Sequence, residues 1–214
     1  MAKHALPSIY CLTLSETPWK SAFTREHLAA LAIDATFIQG FYGPTLGLQP
    51  SCYCDMSSDG SQSFIHANQL GCLLSHLCAL RAALASNVTE FIVFEDDIKL
   101  PDDFVSRWAV LRTAIPNTCQ MVLLERGVAD PSRKFHAVAP GLATAIPYPF
   151  GSAAIWWTRA AALTAISNLV PCRFPFDVGL IHRVYPFTGV LVAEPPFVTQ
   201  RTGDESWPSS ISKW

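Results

Sequence analysis

A run of four apolar residues, Phe91-Ile92-Val93-Phe94, ends directly in three carboxylates, Glu95-Asp96-Asp97, and this junction constrains the chain more than any other feature. The run reads as a short buried strand. Side chains at i and i+2 of a strand share a face, so Glu95 and Asp97 converge on one side while Asp96 points to the other. Oxygen donors so placed suit Mg²⁺ or Mn²⁺, ions usually held by one or two carboxylates together with the phosphates of a substrate. One reading is therefore a metal-bridged nucleotide diphosphate. The other is a solvated acidic turn that caps the next helix, with Asp102 and Asp103 after Pro101 taking part.

The rest of the chain alternates strands and helices. Strands are predicted over 8–14, 35–39, 90–94 and 120–124, and helices over about 19–31, 65–85 and 101–114, the first opened by Pro18. This order predicts an α/β fold with a mostly parallel sheet covered on both faces. Ligands of such sheets bind beyond the carboxyl ends of the strands, where Leu14-Ser15 and Glu95-Asp97 both fall. Between the second strand and the long helix, a Gly-, Pro- and Ser-rich stretch over 40–63 is too long for a plain connection. After Asp130 the pattern changes to short strands over 135–138 and 151–157. Thr158 then reads as the N-cap of a helix to about Leu169, with a short helix over 176–184 and a strand over 190–193 beyond it.

With 214 residues the chain fits one domain. Charged residues make up 15%, against about 25% in an average domain, and half the residues are hydrophobic. Parts of the surface should thus be apolar, open to peripheral membrane contact, a dimer or a partner enzyme. The longest uncharged stretch, 135–158, is broken by Pro140, Gly141, Pro147, Pro149 and Gly151, which excludes a spanning helix there. No apolar leader follows Met1, and a cytoplasmic location is expected. The net charge of −2 and the lack of a basic run argue against nucleic acid as partner. Of the seven cysteines, Cys72, Cys78, Cys119 and Cys172 sit in apolar contexts and read as reduced packing residues, and Cys52 and Cys54 as loop thiols.

Four segments carry a family resemblance. Ile9-Tyr10-Cys11-Leu12-Thr13-Leu14 is the first, and Leu70-Gly71-Cys72-Leu73-Leu74-Ser75-His76 the second. The third, Ile92 to Asp97, places Glu95 nineteen positions beyond His76, and the last joins Gly151 to Ile155 with Phe174-Pro175-Phe176-Asp177, Gln200 and Ser210-Ile211. In this order they resemble glycosyltransferase family 25, which includes lipopolysaccharide and procollagen galactosyltransferases. The resemblance implies a GT-A fold with a donor half over about 1–125 and an acceptor half over about 126–214, a UDP-sugar donor, Mn²⁺ or Mg²⁺, and inversion at the anomeric carbon. Two departures stand out. The Asp-Arg and further Arg that the family carries after its first strand are replaced by Ser15 to Lys20, leaving Lys20 or Arg25 to substitute, and the Glu before Ile-Gly-Cys is Gln69.

Inverting sugar transfer needs a cation at the leaving diphosphate, a base for the acceptor hydroxyl, and alignment of both substrates. Glu95 and Asp97 are the expected metal ligands, and Asp96 is expected to face the donor. Leu14, Ser15, Ser75, His76 and Gln200 complete the donor-binding set, with His76 read either as a phosphate or sugar contact or as a buried histidine bonded to a backbone carbonyl. Asp177, in an apolar setting, is the expected base, or equally a helix N-cap before Val178. Trp156 and Trp157 continue a strand, so one is expected to face the core and the other a cleft. The expected activity is transfer of a hexose, galactose by resemblance, to a glycan acceptor such as a lipooligosaccharide core. A modified nucleobase or protein hydroxyl as acceptor, and a non-catalytic glycan-binding module, are the alternatives.

Overall fold

The computed structural model describes residues 6–47, 65–125, 132–171 and 174–201. The elements run β1 (Ser8–Thr13), α1 (Pro18–Ala30), β2 (Thr36–Gln39), α2 (Ala67–Ala85), β3 (Glu90–Phe94), β4 (Ile98–Lys99), α3 (Phe104–Ala114), β5 (Met121–Leu123), β6 (Lys134–Ala139), β7 (Leu142–Ile146), β8 (Ala154–Thr158), α4 (Arg159–Asn168), α5 (Phe176–Arg183), β9 (Val190–Ala193) and β10 (Thr199–Gln200). A 3-10 turn over Gly43–Thr45 precedes α2 and another over Tyr185–Phe187 follows α5.

Eight strands form one sheet in the order β2-β1-β3-β8-β5-β9-β7-β6. β2, β1 and β3 are parallel, as are β5 and β9, while β8 runs antiparallel between β3 and β5. The inserted β8 is the main difference from the sheet that alternation alone predicts. Its consequence is local: the turn before β8 arrives at the same sheet edge as the carboxyl ends of β3 and β5. There Ala153 accepts the Glu95 amide at 2.8 Å, and Ala154 accepts that of Leu124 at 2.9 Å.

Strand alternation divides the core into two. Phe91 and Val93 of β3 pack with α2, α4 and α5, whereas Ile92 and Phe94 pack with α1 and α3. Trp156 and Trp157 belong to opposite layers and both are buried, so neither faces a cleft and the expectation of an exposed stacking tryptophan is corrected. Burying their rings on both sides of the central strands brings a large apolar area into the core.

The ends of the elements depart from expectation in two places. Asp103 holds the N-cap position of α3 but its side chain makes no cap hydrogen bond, so the acidic turn is not a capping device. β4 and β10 are too short to show a period, yet they pair antiparallel, Ile98 with Gln200 and Lys99 with Thr199. That pairing draws the end of the described chain back over the acidic turn. Among the described residues, no helix is long and apolar enough to cross a membrane.

Candidate active site

The motif Gly71-Cys72-x-x-Ser75-His76 has a separate physical task for each of its members. α2 is capped by His66, whose backbone amide donates to Gln69 Oε1 at 3.0 Å while its ring nitrogen accepts from the Asn68 amide. An amide oxygen at Gln69 does this as well as a carboxylate would, so the missing charge leaves the helix start intact. Gly71 lets the loop after β2 lie against the helix: a Cβ there would meet Phe41 O at 2.4 Å and Gly43 N at 2.7 Å. Ser75 donates to Gly71 O at 2.7 Å and accepts from the Phe41 amide at 2.8 Å, tying loop to helix. His76, one residue on, turns toward the sheet.

There its Nε2 lies 3.0 Å from Glu95 Oε1, and its ring stacks on Phe176 at 4.0 Å between centroids. Ser152 donates to the same Glu95 oxygen at 2.6 Å. His76 is thus a buried histidine paired with a carboxylate, not with the backbone carbonyl considered from sequence. Burial raises the Glu95 pKa, but the hydrogen bonds of His76 and Ser152 outweigh it and hold the carboxyl below its ordinary range.

Asp96 and Asp97 are differently placed. Asp96 continues the face of Ile92 and Phe94 toward α1, where Thr24 donates to its carbonyl at 2.7 Å. Burial pushes its carboxyl up to about 6, against the pull of the nearby buried Lys20. Asp97 accepts from Gln200 Nε2 at 3.0 Å, and its carbonyl accepts the Arg201 amide. Burial, then the Glu95 and Asp96 carboxylates, push it up to about 7. One oxygen on each, Asp96 Oδ2 and Asp97 Oδ1, is buried without a hydrogen-bond partner among the described residues.

Leu14, Tyr42, Asn68, Cys72, Ser75, His76, Gln200 and all three acids line one cleft at this edge of the sheet. Of the donor-binding residues expected from sequence, Ser15 stands apart: it is exposed, donates to Glu16 and accepts from Gln39. Lys20 is 1% exposed and lies within electrostatic reach of all three acids, while Arg25 is exposed and stacks on Phe37. Of the two residues expected to stand in for the family's arginines, Lys20 is thus the one set among the acids. Ser210, Cys52, Cys54 and Cys172 lie outside the described residues.

Asp177 sits in the first turn of α5 and accepts the Val178 amide at 2.9 Å. The N-cap position itself belongs to Pro175, which corrects the capping alternative. Burial raises the Asp177 pKa; its own turn's amides oppose this, and Glu95 adds to it. A fifth acid is not singled out by the sequence: Glu125, just past β5, is 5% exposed and pushed up to about 8 by burial and by the Glu95, Asp97 and Asp177 carboxylates. It shares the β5 face of Met121 and Leu123, directed to the layer of α2 and α5. Its one signal is the strand itself: an acid two residues beyond Leu123 continues a buried face.

Asp96 and Asp97, each with an orphaned buried oxygen, thus line the cleft beside Glu95 where β1 and β3 end. The sequence model of glycosyltransferase family 25 (LPS biosynthesis protein) matches residues 7–137, more than half of the chain. The chain belongs to glycosyltransferase family 25. The family 25 fold is shared with a solved structure described as "Crystal structure of a glycosyltransferase involved in the glycosylation of the major capsid of PBCV-1". Identity to it is 10%, the TM-score is 0.54, and the alignment covers 93% of this chain and 95% of that one. No curated protein matches this sequence. As a family 25 member the protein is a glycosyltransferase, working between a sugar donor and a glycan acceptor.

Proposed function

We propose that the protein transfers a hexose, galactose by family resemblance, from a UDP-sugar to a glycan such as a lipooligosaccharide core, with inversion and with Mn²⁺ or Mg²⁺ at the acidic turn. The observation that carries this reading is the pair of orphaned oxygens, Asp96 Oδ2 and Asp97 Oδ1, buried at the cleft. Such atoms cost free energy unless something cationic or protic meets them, and hard oxygen donors match Mg²⁺ and Mn²⁺. Asp97 and Glu95 would hold the ion, which when bound offsets negative charge on the departing diphosphate.

Around it, the chain's own groups divide the work. His76 and Ser152 keep Glu95 ionised and fixed in direction. Asp96 faces the donor side with Lys20 behind it, and Gln200 sets the Asp97 carboxylate by donating to one oxygen. Leu14, Ser75 and the loop at Tyr42 bound the donor cleft. Asp177, half-buried and with a raised pKa, takes the proton of the acceptor hydroxyl. A cytoplasmic enzyme acting at the inner membrane face fits the exposed Phe150, Ile146 and Phe187.

A donor panel of UDP-, GDP- and CMP-sugars, read by nucleotide release with Mn²⁺, tests this proposal. Slow hydrolysis confined to UDP-sugars supports it. Release from GDP- or CMP-sugars alone overturns the choice of donor.

A further inference from the structure

Cys72, His76 and Glu95 bring one sulfur, one nitrogen and one oxygen ligand atom within 4.8 Å of one another. Among the described residues this is the one group of three such side chains so close. Cys72 and His76 are four residues apart on α2 and therefore share a face, one turn apart. Glu95 meets them from the end of β3, and Ser152 adds a hydroxyl 2.6 Å from its Oε1. Cys72 is half-buried and lines the cleft, so an ion can reach it.

This donor set differs in kind from the oxygens of Asp96 and Asp97. A thiolate, an imidazole and a carboxylate together select a borderline-soft ion, and Zn²⁺ takes this combination in four-coordinate sites. Mg²⁺ has little affinity for sulfur or imidazole. We propose that Cys72, His76 and Glu95 form a second cation site, specific for Zn²⁺ and similar thiophilic ions, which shares Glu95 with the ion site proposed at the acidic turn. Binding replaces the thiol proton of Cys72 with a sulfur–metal bond and frees a ring nitrogen of His76 from its contact with Glu95, and the displaced protons leave to solvent. These three side chains would supply three ligands of a four-coordinate site. The proposal stands on the packing of α2 against β3, so it is independent of which sugar or nucleotide the enzyme uses.

Cobalt is the probe, because thiolate–cobalt coordination absorbs in the near ultraviolet and four-coordinate cobalt absorbs strongly in the visible. Titrating the reduced full-length protein with Co²⁺ alone should produce both bands at one equivalent, and Zn²⁺ should erase them. Cys72→Ser should lose the charge-transfer band, whereas the triple variant Cys52→Ser, Cys54→Ser, Cys172→Ser should keep it. A band that survives in Cys72→Ser, a band lost in the triple variant, or no band in the wild type overturns the site. Alkylation supplies a readout on the wild-type protein: Zn²⁺ should shield Cys72 from iodoacetamide, read by peptide mass spectrometry. Labelling of Cys72 that Zn²⁺ does not change contradicts the proposal.

Discussion

His76 Nε2 lies 3.0 Å from Glu95 Oε1 and joins the middle of α2 to the end of β3. The contact explains why a histidine and an acidic strand end stand nineteen residues apart: the helix, its turn and the strand together return the chain to the same edge of the sheet. It also gives the three acids different surroundings, since Glu95 Oε1 is held by its neighbours while Asp96 and Asp97 each bury one oxygen with no hydrogen-bond partner among the described residues.

Replacing His76 by Ala removes a stacked, buried ring and leaves Glu95 with one hydrogen bond fewer. The two losses together should destabilise the fold by about 3–5 kcal/mol, read as a lower midpoint in urea at unchanged m-value. His76→Gln, which can still donate to Glu95, should lose less than His76→Ala. Equal losses would show that the hydrogen bond contributes nothing measurable.

Gly71→Ala tests the loop seat. A methyl group 2.4 Å from Phe41 O cannot be accommodated without moving the loop, because both sides of the contact are backbone. A cost of about 1–3 kcal/mol is expected, together with weaker nucleotide binding as Phe41 and Tyr42 shift in the cleft. Wild-type affinity in a folded Gly71→Ala protein would separate this loop from donor binding.

Acidity should act through the raised carboxyls. Glu125 titrates near 8, Asp97 near 7 and Asp96 near 6, each above the ordinary carboxylate range to which it returns on unfolding. Between about pH 4.5 and 8 the folded metal-free protein then binds more protons than the unfolded chain, so stability is full below this window and falls as pH rises through it. Glu125→Gln should recover about 1–3 kcal/mol at pH 8 and almost nothing at pH 4.5. Chemical denaturation across that range checks both, and a stability that climbs from pH 5 to 8 without metal would contradict the placement of these acids.

How much of the molecule is legible in its sequence follows from where the information lies. β3 and the acids at its end can be read because a continuous apolar run closed by charge fits a buried strand and little else, and β9 is bounded correctly by its own apolar run. Thr158 reads as an N-cap, and its hydroxyl does accept the Ala161 amide. The direction of β8 is not legible, since alternation marks a strand but not its polarity. β4, β7 and β10 leave no clear pattern: two are only two residues long, and β7, Leu142–Ile146, has small residues at its centre and lies in a proline- and glycine-broken stretch. Cys72 reads as packing because its neighbours in sequence are apolar, and it does pack against the core; only the helix face shows that it also lines the cleft. Glu125 stays hidden because a single acid after a strand carries no spacing signal.

The proposed base can be tested by kinetics. Asp177→Asn should lower kcat by about 10²–10⁴-fold while leaving nucleotide affinity within about twofold, since Asp177 is proposed to act on the acceptor and not on the donor. An Asp177→Asn enzyme with near-normal kcat would move the base elsewhere, with Glu125 the next carboxylate to replace.

The central claim is that Asp97 helps hold a divalent cation against the donor's diphosphate. Calorimetric titration of UDP into the metal-free protein, with and without Mn²⁺, addresses it most directly. The account predicts binding that requires Mn²⁺ in the wild type and is abolished in Asp97→Ala. UDP affinity that is the same with and without Mn²⁺, or metal-dependent binding that survives in Asp97→Ala, would contradict it.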